Sequence, residues 1–133
     1  MRILIVDDDP ATRLCLDKAL TPLGEVVAAG SGQEALDAFG NALAGGNPFS
    51  LVSLDIVMPG LDGQATLQAM RDMEKRHKVA PGKETKVMMV TALGDTDNVT
   101  RAFFKGQADG YVTKPLRLDN LTETLREMGF TVE

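Results

Sequence analysis

A chain of 133 residues has room for one compact domain and none for a second of ordinary length. With 44% hydrophobic and 25% charged residues it can bury a sizeable core, which excludes disorder over most of its length. Fourteen Lys and Arg against nineteen Asp and Glu leave a net charge of −5, which opposes a phosphate backbone and argues against direct nucleic-acid contact. The runs Ile3-Leu4-Ile5-Val6 and Val87-Met88-Met89-Val90 are far shorter than the roughly 20 apolar residues a membrane-spanning helix needs. The first of them meets acids at once, unlike a signal peptide, so a cytoplasmic protein without membrane insertion is expected. Cys15 stands alone, which excludes an internal disulfide and a thiolate metal cluster; it is expected as a small buried residue on the first helix.

In chain order, branched apolar runs mark five strands, at Ile3 to Val6, Val26 to Ala29, Leu51 to Leu54, Val87 to Val90, and Tyr111 to Val112. The first helix opens where Asp9 can cap and Pro10 can take the first helical position, whose missing N–H costs nothing there. Ser31-Gly32-Gln33-Glu34 reads as a capping box for the second. His77 falls at the end of the third, a solvated group at the negative pole of the helix dipole. Leu118, Leu121, Leu125 and Met128 recur at helical spacing in the last. Ala44 to Pro48 and Lys78 to Lys86 read as surface loops, and Met58, Met70, Met73, Met88 and Met89 as packing residues. Strands and helices in alternation, with nearly all-apolar strands, predict five βα units: a parallel sheet covered on both faces.

In such a sheet every strand-to-helix turn lies at the carboxyl edge, where ligands bind. That edge receives Asp7, Asp8 and Asp9 after the first strand, Asp55 ending the third, Thr91 and Ala92 after the fourth, and Lys114-Pro115 after the fifth. Carboxylates of Asp7, Asp8 and Asp55 gathered together resist full ionisation unless a cation sits among them. Mg2+ suits three such ligands best, with Mn2+ as the alternative, since water and phosphate oxygens complete its octahedron. Asp9 is expected as a helix cap rather than a ligand, and Asp62 as a turn residue beside Gly60 and Gly63. With the Lys114 ammonium and a hydroxyl nearby, the set suits phosphoryl transfer, and Asp55 is the obvious nucleophile.

Four segments now match a family. Val6-Asp7-Asp8, Asp55 to Gly63, Val90-Thr91-Ala92 and Gly110 to Pro115 resemble, in order and spacing, the receiver domains of two-component response regulators. The resemblance covers essentially the whole chain, so residues 1–133 are expected to form one receiver domain, close to single-domain chemotaxis regulators. It implies a flavodoxin-like three-layer α/β sandwich with five helices and strand order 2-1-3-4-5, the order known for a chemotaxis receiver. It implies that Asp55 accepts a phosphoryl group from a histidine kinase or histidine phosphotransfer protein. Asp8, Asp55 and the Val57 backbone carbonyl would bind Mg2+, with Asp7 acting mainly through a bound water. Thr91 would hydrogen-bond the phosphoryl group, Lys114 would pair with it, and a cis bond before Pro115 would aim that lysine into the site.

Phosphorylation supplies acceptor oxygens that can draw the Thr91 hydroxyl inward and admit the Tyr111 ring behind it. The expected readout surface is the face of the fourth helix, fifth strand and fifth helix, with Arg101, Phe104, Lys105, Tyr111 and Arg117. Phe103 and Phe104 could also be ordinary core, but adjacent positions point about 100° apart on a helix, so the two are not expected both to be fully buried. Val57 and Leu93 stand at positions that in this family flank the route of attacking water; both are apolar, so the resemblance implies a phosphorylated state longer-lived than in relatives with polar residues there. Such a protein catalyses its own phosphorylation and dephosphorylation without being a turnover enzyme. It acts through a downstream target protein as a monomer or a phosphorylation-dependent dimer, or else serves as a phosphate shuttle or sink. The remote alternative is a nucleotide-binding Rossmann-like enzyme, because Gly30-Ser31-Gly32 to Ala35 fits a dinucleotide fingerprint. That motif follows the second strand, away from a central crevice. A haloacid-dehalogenase-like phosphatase would need an acid where Val57 stands.

Overall fold

The computed structural model describes residues 1–92 and 108–132. Its elements are β1 (Arg2–Val6), α1 (Pro10–Leu20), a 3-10 turn (Thr21–Leu23), β2 (Glu25–Ala29), α2 (Gly32–Ala44), β3 (Leu51–Asp55), α3 (Gly63–Arg76), β4 (Lys86–Ala92), β5 (Gly110–Lys114) and α4 (Leu118–Glu127). The five strands form one parallel sheet in the order β2-β1-β3-β4-β5. The flavodoxin-like α/β expectation therefore holds, with four α-helices among the described residues instead of five. The helix expected between β4 and β5, with Arg101, Phe103, Phe104 and Lys105, and also Leu93, lies outside the described residues.

Alternation along the strands divides the core in two. Leu4, Val6, Val52, Leu54, Val87 and Met89 face α2 and α3, meeting Ala35, Phe39, Leu67 and Met70. Ile3, Ile5, Leu51, Met88, Val90 and Val112 face α1 and α4, meeting Leu16, Leu20, Leu121, Leu125 and Met128. Removing one such fully buried leucine side chain costs about 2–5 kcal/mol. The central strands β1, β3 and β4 are buried on both faces, which explains why their sequences are nearly all apolar, whereas the edge strands β2 and β5 are partly exposed.

Helix starts follow the expected chemistry. Asp9 caps α1, accepting from the Ala11 amide at 3.1 Å and the Thr12 hydroxyl at 2.9 Å. Ser31 caps α2 through the Glu34 amide at 3.1 Å, but Glu34 reaches back to the Gly30 amide at 2.8 Å, so the return bond falls one residue earlier than a capping box places it. Asp62, expected in a turn, caps α3 by accepting from the Ala65 amide at 2.8 Å. His77 closes α3, exposed, with Nδ1 2.9 Å from the Met73 carbonyl oxygen.

Two expectations about buried faces are corrected. Cys15 is exposed: α1 buries Leu16 and Leu20, and the position before Leu16 turns about 100° away from the sheet. Leu118, the first residue of α4, is 69% exposed although Leu121, Leu125 and Met128, which share its helical spacing, are buried. Thr91 and Lys114, expected just after strands, are residues of β4 and β5, which run further toward the carboxyl edge than their apolar runs.

Candidate functional site

Asp7 follows β1 directly, and its amide donates to the Ala29 carbonyl at 3.1 Å, continuing the β1–β2 ladder by one residue. The side chain is therefore held under the rim and is fully buried. Asp8 points outward and is exposed, while Asp55 ends β3 at 4% exposure. One carboxylate oxygen from each of the three lies within 4.8 Å of the others. The turn after Asp55 folds back so closely that a Cβ at Gly63 would meet the Asp55 carbonyl and stand 2.6 Å from Ile56 Cα, a space open only to glycine.

Lys114 comes from β5, two strands away. The Lys114–Pro115 peptide is cis, and Lys114 Nζ stands 3.4 Å from Asp55 Oδ2 and 3.3 Å from Asp7 Oδ2. Burial, and then the charge of Asp7, push the Asp55 carboxyl up to about 6 against the pull of Lys114. Burial disfavours the Lys114 ammonium, but the Asp55 and Asp7 carboxylates outweigh it and the lysine is held above its ordinary value. Asp9 is lowered by the Thr12 hydroxyl and the Ala11 amide, as a capping carboxylate should be.

Asp7 Oδ1 accepts from the Asp9 amide at 2.9 Å, while among the described residues the buried Oδ2 has no hydrogen-bond partner and faces the Lys114 ammonium at 3.3 Å. A buried carboxylate oxygen with spare lone pairs, beside two further carboxylates, leaves a set of hard oxygen donors with negative charge in excess. These residues fit a Mg2+ ion.

Thr91 is buried on β4, one residue beyond Val90, the register partner of Asp55 in the adjacent strand; its hydroxyl donates to the Ala92 carbonyl at 3.3 Å. Val57 is 66% exposed, and its amide lies 3.4 Å from Asp55 Oδ1. Tyr111 is 47% exposed at the outer edge of the sheet, and Arg117 is exposed beside Asp119 at 3.6 Å. The structure thus gathers Asp7, Asp8, Asp55 and Lys114 at one point, with Thr91 on the neighbouring strand. Arg13, whose Nη1 donates to the Asp7 carbonyl at 2.7 Å, was not foreseen. Its only sequence signal is a cation one helical turn beyond a capping acid.

The glycines of the Gly30 to Ala35 segment have packing explanations. A Cβ at Gly32 would meet the Thr66 hydroxyl and stand 2.7 Å from the Leu61 carbonyl oxygen. The turn therefore packs against α3 at the edge-strand side of the sheet instead of opening a nucleotide crevice.

A doubly wound parallel sheet with three acids and one lysine at its carboxyl edge is the layout of two-component receiver domains. The chain belongs to that family: the response regulator receiver domain model matches residues 3–126. Receiver domains are signalling modules, not turnover enzymes. The chain is 39% identical over 121 residues to the transcriptional activator protein PfeR of Pseudomonas aeruginosa, covering 90% of this chain and 35% of PfeR. It is 36% identical over 131 residues to the transcriptional regulatory protein TcrA of Mycobacterium tuberculosis, covering 97% and 46%. The sensor histidine kinase GacS of Pseudomonas protegens is 34% identical over 126 residues, 93% of this chain and 13% of the kinase. The chain thus spans less than half the length of each of these relatives. Among solved structures, Vibrio cholerae chemotaxis protein CheY4 superposes with a TM-score of 0.75 at 26% identity, over 96% of this chain and 97% of that one. The receiver domain of the Arabidopsis thaliana histidine kinase CKI1, complexed with Mg2+ and BeF3−, gives 0.80 at 27% identity, over 96% and 88%. No helix among the described residues is long and apolar enough to cross a membrane.

Proposed function

We propose that residues 1–133 act as one receiver domain in which Asp55 accepts a phosphoryl group from a phosphohistidine of a histidine kinase or phosphotransfer protein. The observation that carries this reading is the convergence of Asp7, Asp8 and Asp55 within 4.8 Å, opposed by the Lys114 ammonium 3.3–3.4 Å from two of them. Asp8, Asp55 and the Val57 carbonyl would hold Mg2+, with Asp7 engaging it mainly through water. Bound there, Mg2+ would neutralise charge on the phosphoryl oxygens.

The chain's own groups do the rest. Asp55 is ionised above a pH of about 6 and presents a carboxylate oxygen to phosphorus. As the new O–P bond forms, the P–N bond to the donor histidine breaks, and the imidazole leaves as its nitrogen takes a proton from solvent. Lys114 remains protonated and pairs with a phosphoryl oxygen, and the Thr91 hydroxyl turns from the Ala92 carbonyl to another. That turn would open space for the half-exposed Tyr111 ring to move inward, changing the face around β5 and α4. The altered face would control binding to a downstream target protein in the cytoplasm. A monomer or a phosphorylation-dependent dimer is compatible with this output. A shuttle or sink within a phosphorelay would use the same site without the surface change.

Acetyl phosphate with Mg2+ should add about 80 Da, one phosphoryl group, to the intact wild-type protein. Asp55→Asn, or omission of the metal, should abolish the adduct. An adduct of equal yield on Asp55→Asn would overturn the assignment.

A further inference from the structure

We infer that Arg13 is a positioning residue for the metal-binding acids, orienting Asp8 by holding the peptide that joins Asp7 to Asp8; this rests on the proposed reading of the rim as a cation site. Arg13 sits on α1, where its own amide donates to the Asp9 carbonyl at 3.0 Å. Its guanidinium turns back across the helix start, and Nη1 donates to the Asp7 carbonyl at 2.7 Å. The Asp7 amide is already committed to the Ala29 carbonyl at 3.1 Å. The Asp7 main chain is therefore pinned at both ends, by β2 at its N–H and by α1 at its C=O.

That carbonyl belongs to the Asp7–Asp8 peptide, so its direction sets where the Asp8 Cα lies and how its carboxylate leaves the backbone. Asp8 has most need of such help. It is the exposed member of the trio, and no hydrogen bond among the described residues holds its side chain. Asp7, in contrast, is buried and accepts from the Asp9 amide at 2.9 Å.

The neighbouring turn makes room for the guanidinium. A Cβ at Gly30 would stand 3.3 Å from Arg13 Nη1 and 3.8 Å from its Cζ, and the Gly30 amide is held by Glu34 Oε2 at 2.8 Å. The glycine that opens the apparent dinucleotide motif thus serves the acidic rim.

The sign of the effect separates positioning from simple charge. A guanidinium near a cation site repels the cation, so an Arg13 that acted only as a charge would weaken binding and its removal would tighten it. A positioning Arg13 gives the opposite result.

Mn2+ titrated into the full chain, with free Mn2+ followed by electron paramagnetic resonance, reads this directly. Arg13→Met should bind Mn2+ about tenfold more weakly, at the lower end of the loss typical when a group supporting a metal ligand is removed. Arg13→Lys, with one donor able to reach the carbonyl less well, should fall between, about threefold weaker than wild type. Thermal melts of each variant confirm that the compared proteins are folded. If Arg13→Met does not fold, Arg13→Lys decides alone. Equal or tighter Mn2+ binding by either folded variant overturns the inference while leaving the cation site standing. Failure of the wild type to bind Mn2+ overturns both.

Discussion

Val57 places an isopropyl group, 66% exposed, two residues beyond the proposed phosphoacceptor and on its solvent side. If Asp55 is phosphorylated as proposed, an apolar group there can neither donate to nor accept from a water approaching in line with the Asp55–phosphoryl bond, and would displace water from that path. Val57→Asn supplies an amide that can orient the water. Phosphate release from the phosphorylated variant should be about tenfold faster, less than the hundredfold or more that a positioned general base contributes. Because the side chain is largely in solvent, the melting temperature should not change. Equal or slower release, followed by loss of the phosphoryl adduct in mass spectra, would refute this. At this scale the rim acids and Lys114 were legible because they end apolar strands, whose ends parallel topology brings to one edge. Arg13 was not, since its partner is a main-chain oxygen and leaves no mark in residue type.

Among the elements, the segment before β4 looked featureless in sequence, yet it is tied down by a polar clamp at the edge opposite the acids. Glu74 on α3 is 2% exposed; it accepts from Arg71 at 2.7 Å and from the Thr85 amide at 2.8 Å. Arg71 also donates to the Thr85 carbonyl at 2.8 Å and pairs with Asp109 at 3.3 Å. Asp109 in turn accepts from the Val87 amide at 2.8 Å, so one network sets the starts of β4 and β5 against α3. Glu74→Ala leaves Arg71 and the Thr85 amide without that carboxylate and should cost about 3 kcal/mol, as breaking a buried ion pair does. Urea unfolding measures it, and acetyl phosphate labelling of Asp55 at low urea should persist because the acidic rim lies at the far edge. A cost under about 1 kcal/mol, the size for an exposed pair, would show the clamp to be solvated. Helix starts at Asp9-Pro10 and Ser31 were readable because caps act within a few residues. Glu74, Cys15 and Leu118 were misjudged or missed because burial of a helix face is decided by which neighbour covers it, and that neighbour is distant in sequence.

For the whole molecule, the acidic rim sets a trade between function and stability that pH and metal should expose. Without metal, the folded protein holds the Asp55 proton up to a pH of about 6, whereas an unfolded chain releases it near about 4. Between those values the native state binds more protons than the unfolded one, so stability is fully present below about 4 and is lost as pH rises through about 6. Two pKa units correspond to at most about 3 kcal/mol, and solvent access at the rim reduces this to about 1–2 kcal/mol, or several degrees of melting temperature. Asp9 opposes this trend, because its lowered value adds stability above about 4. The measurement is therefore a difference: metal-free melts of wild type and Asp55→Asn from pH 4.5 to 7.5. Wild type should lose stability relative to the variant as pH rises to about 6 and run parallel to it above. Saturating Mg2+, if held by the ionised rim of the native state alone as proposed, should restore about 2–3 kcal/mol at pH 7.5 when present at a hundred times its dissociation constant. Protons compete for the same oxygens, so that gain should shrink as pH falls below about 6. Parallel wild-type and Asp55→Asn curves across the whole range would show that burial and Asp7 do not hold the Asp55 carboxyl above its ordinary value against Lys114, and the account of the rim as a preformed, charge-strained cation site would fail with them.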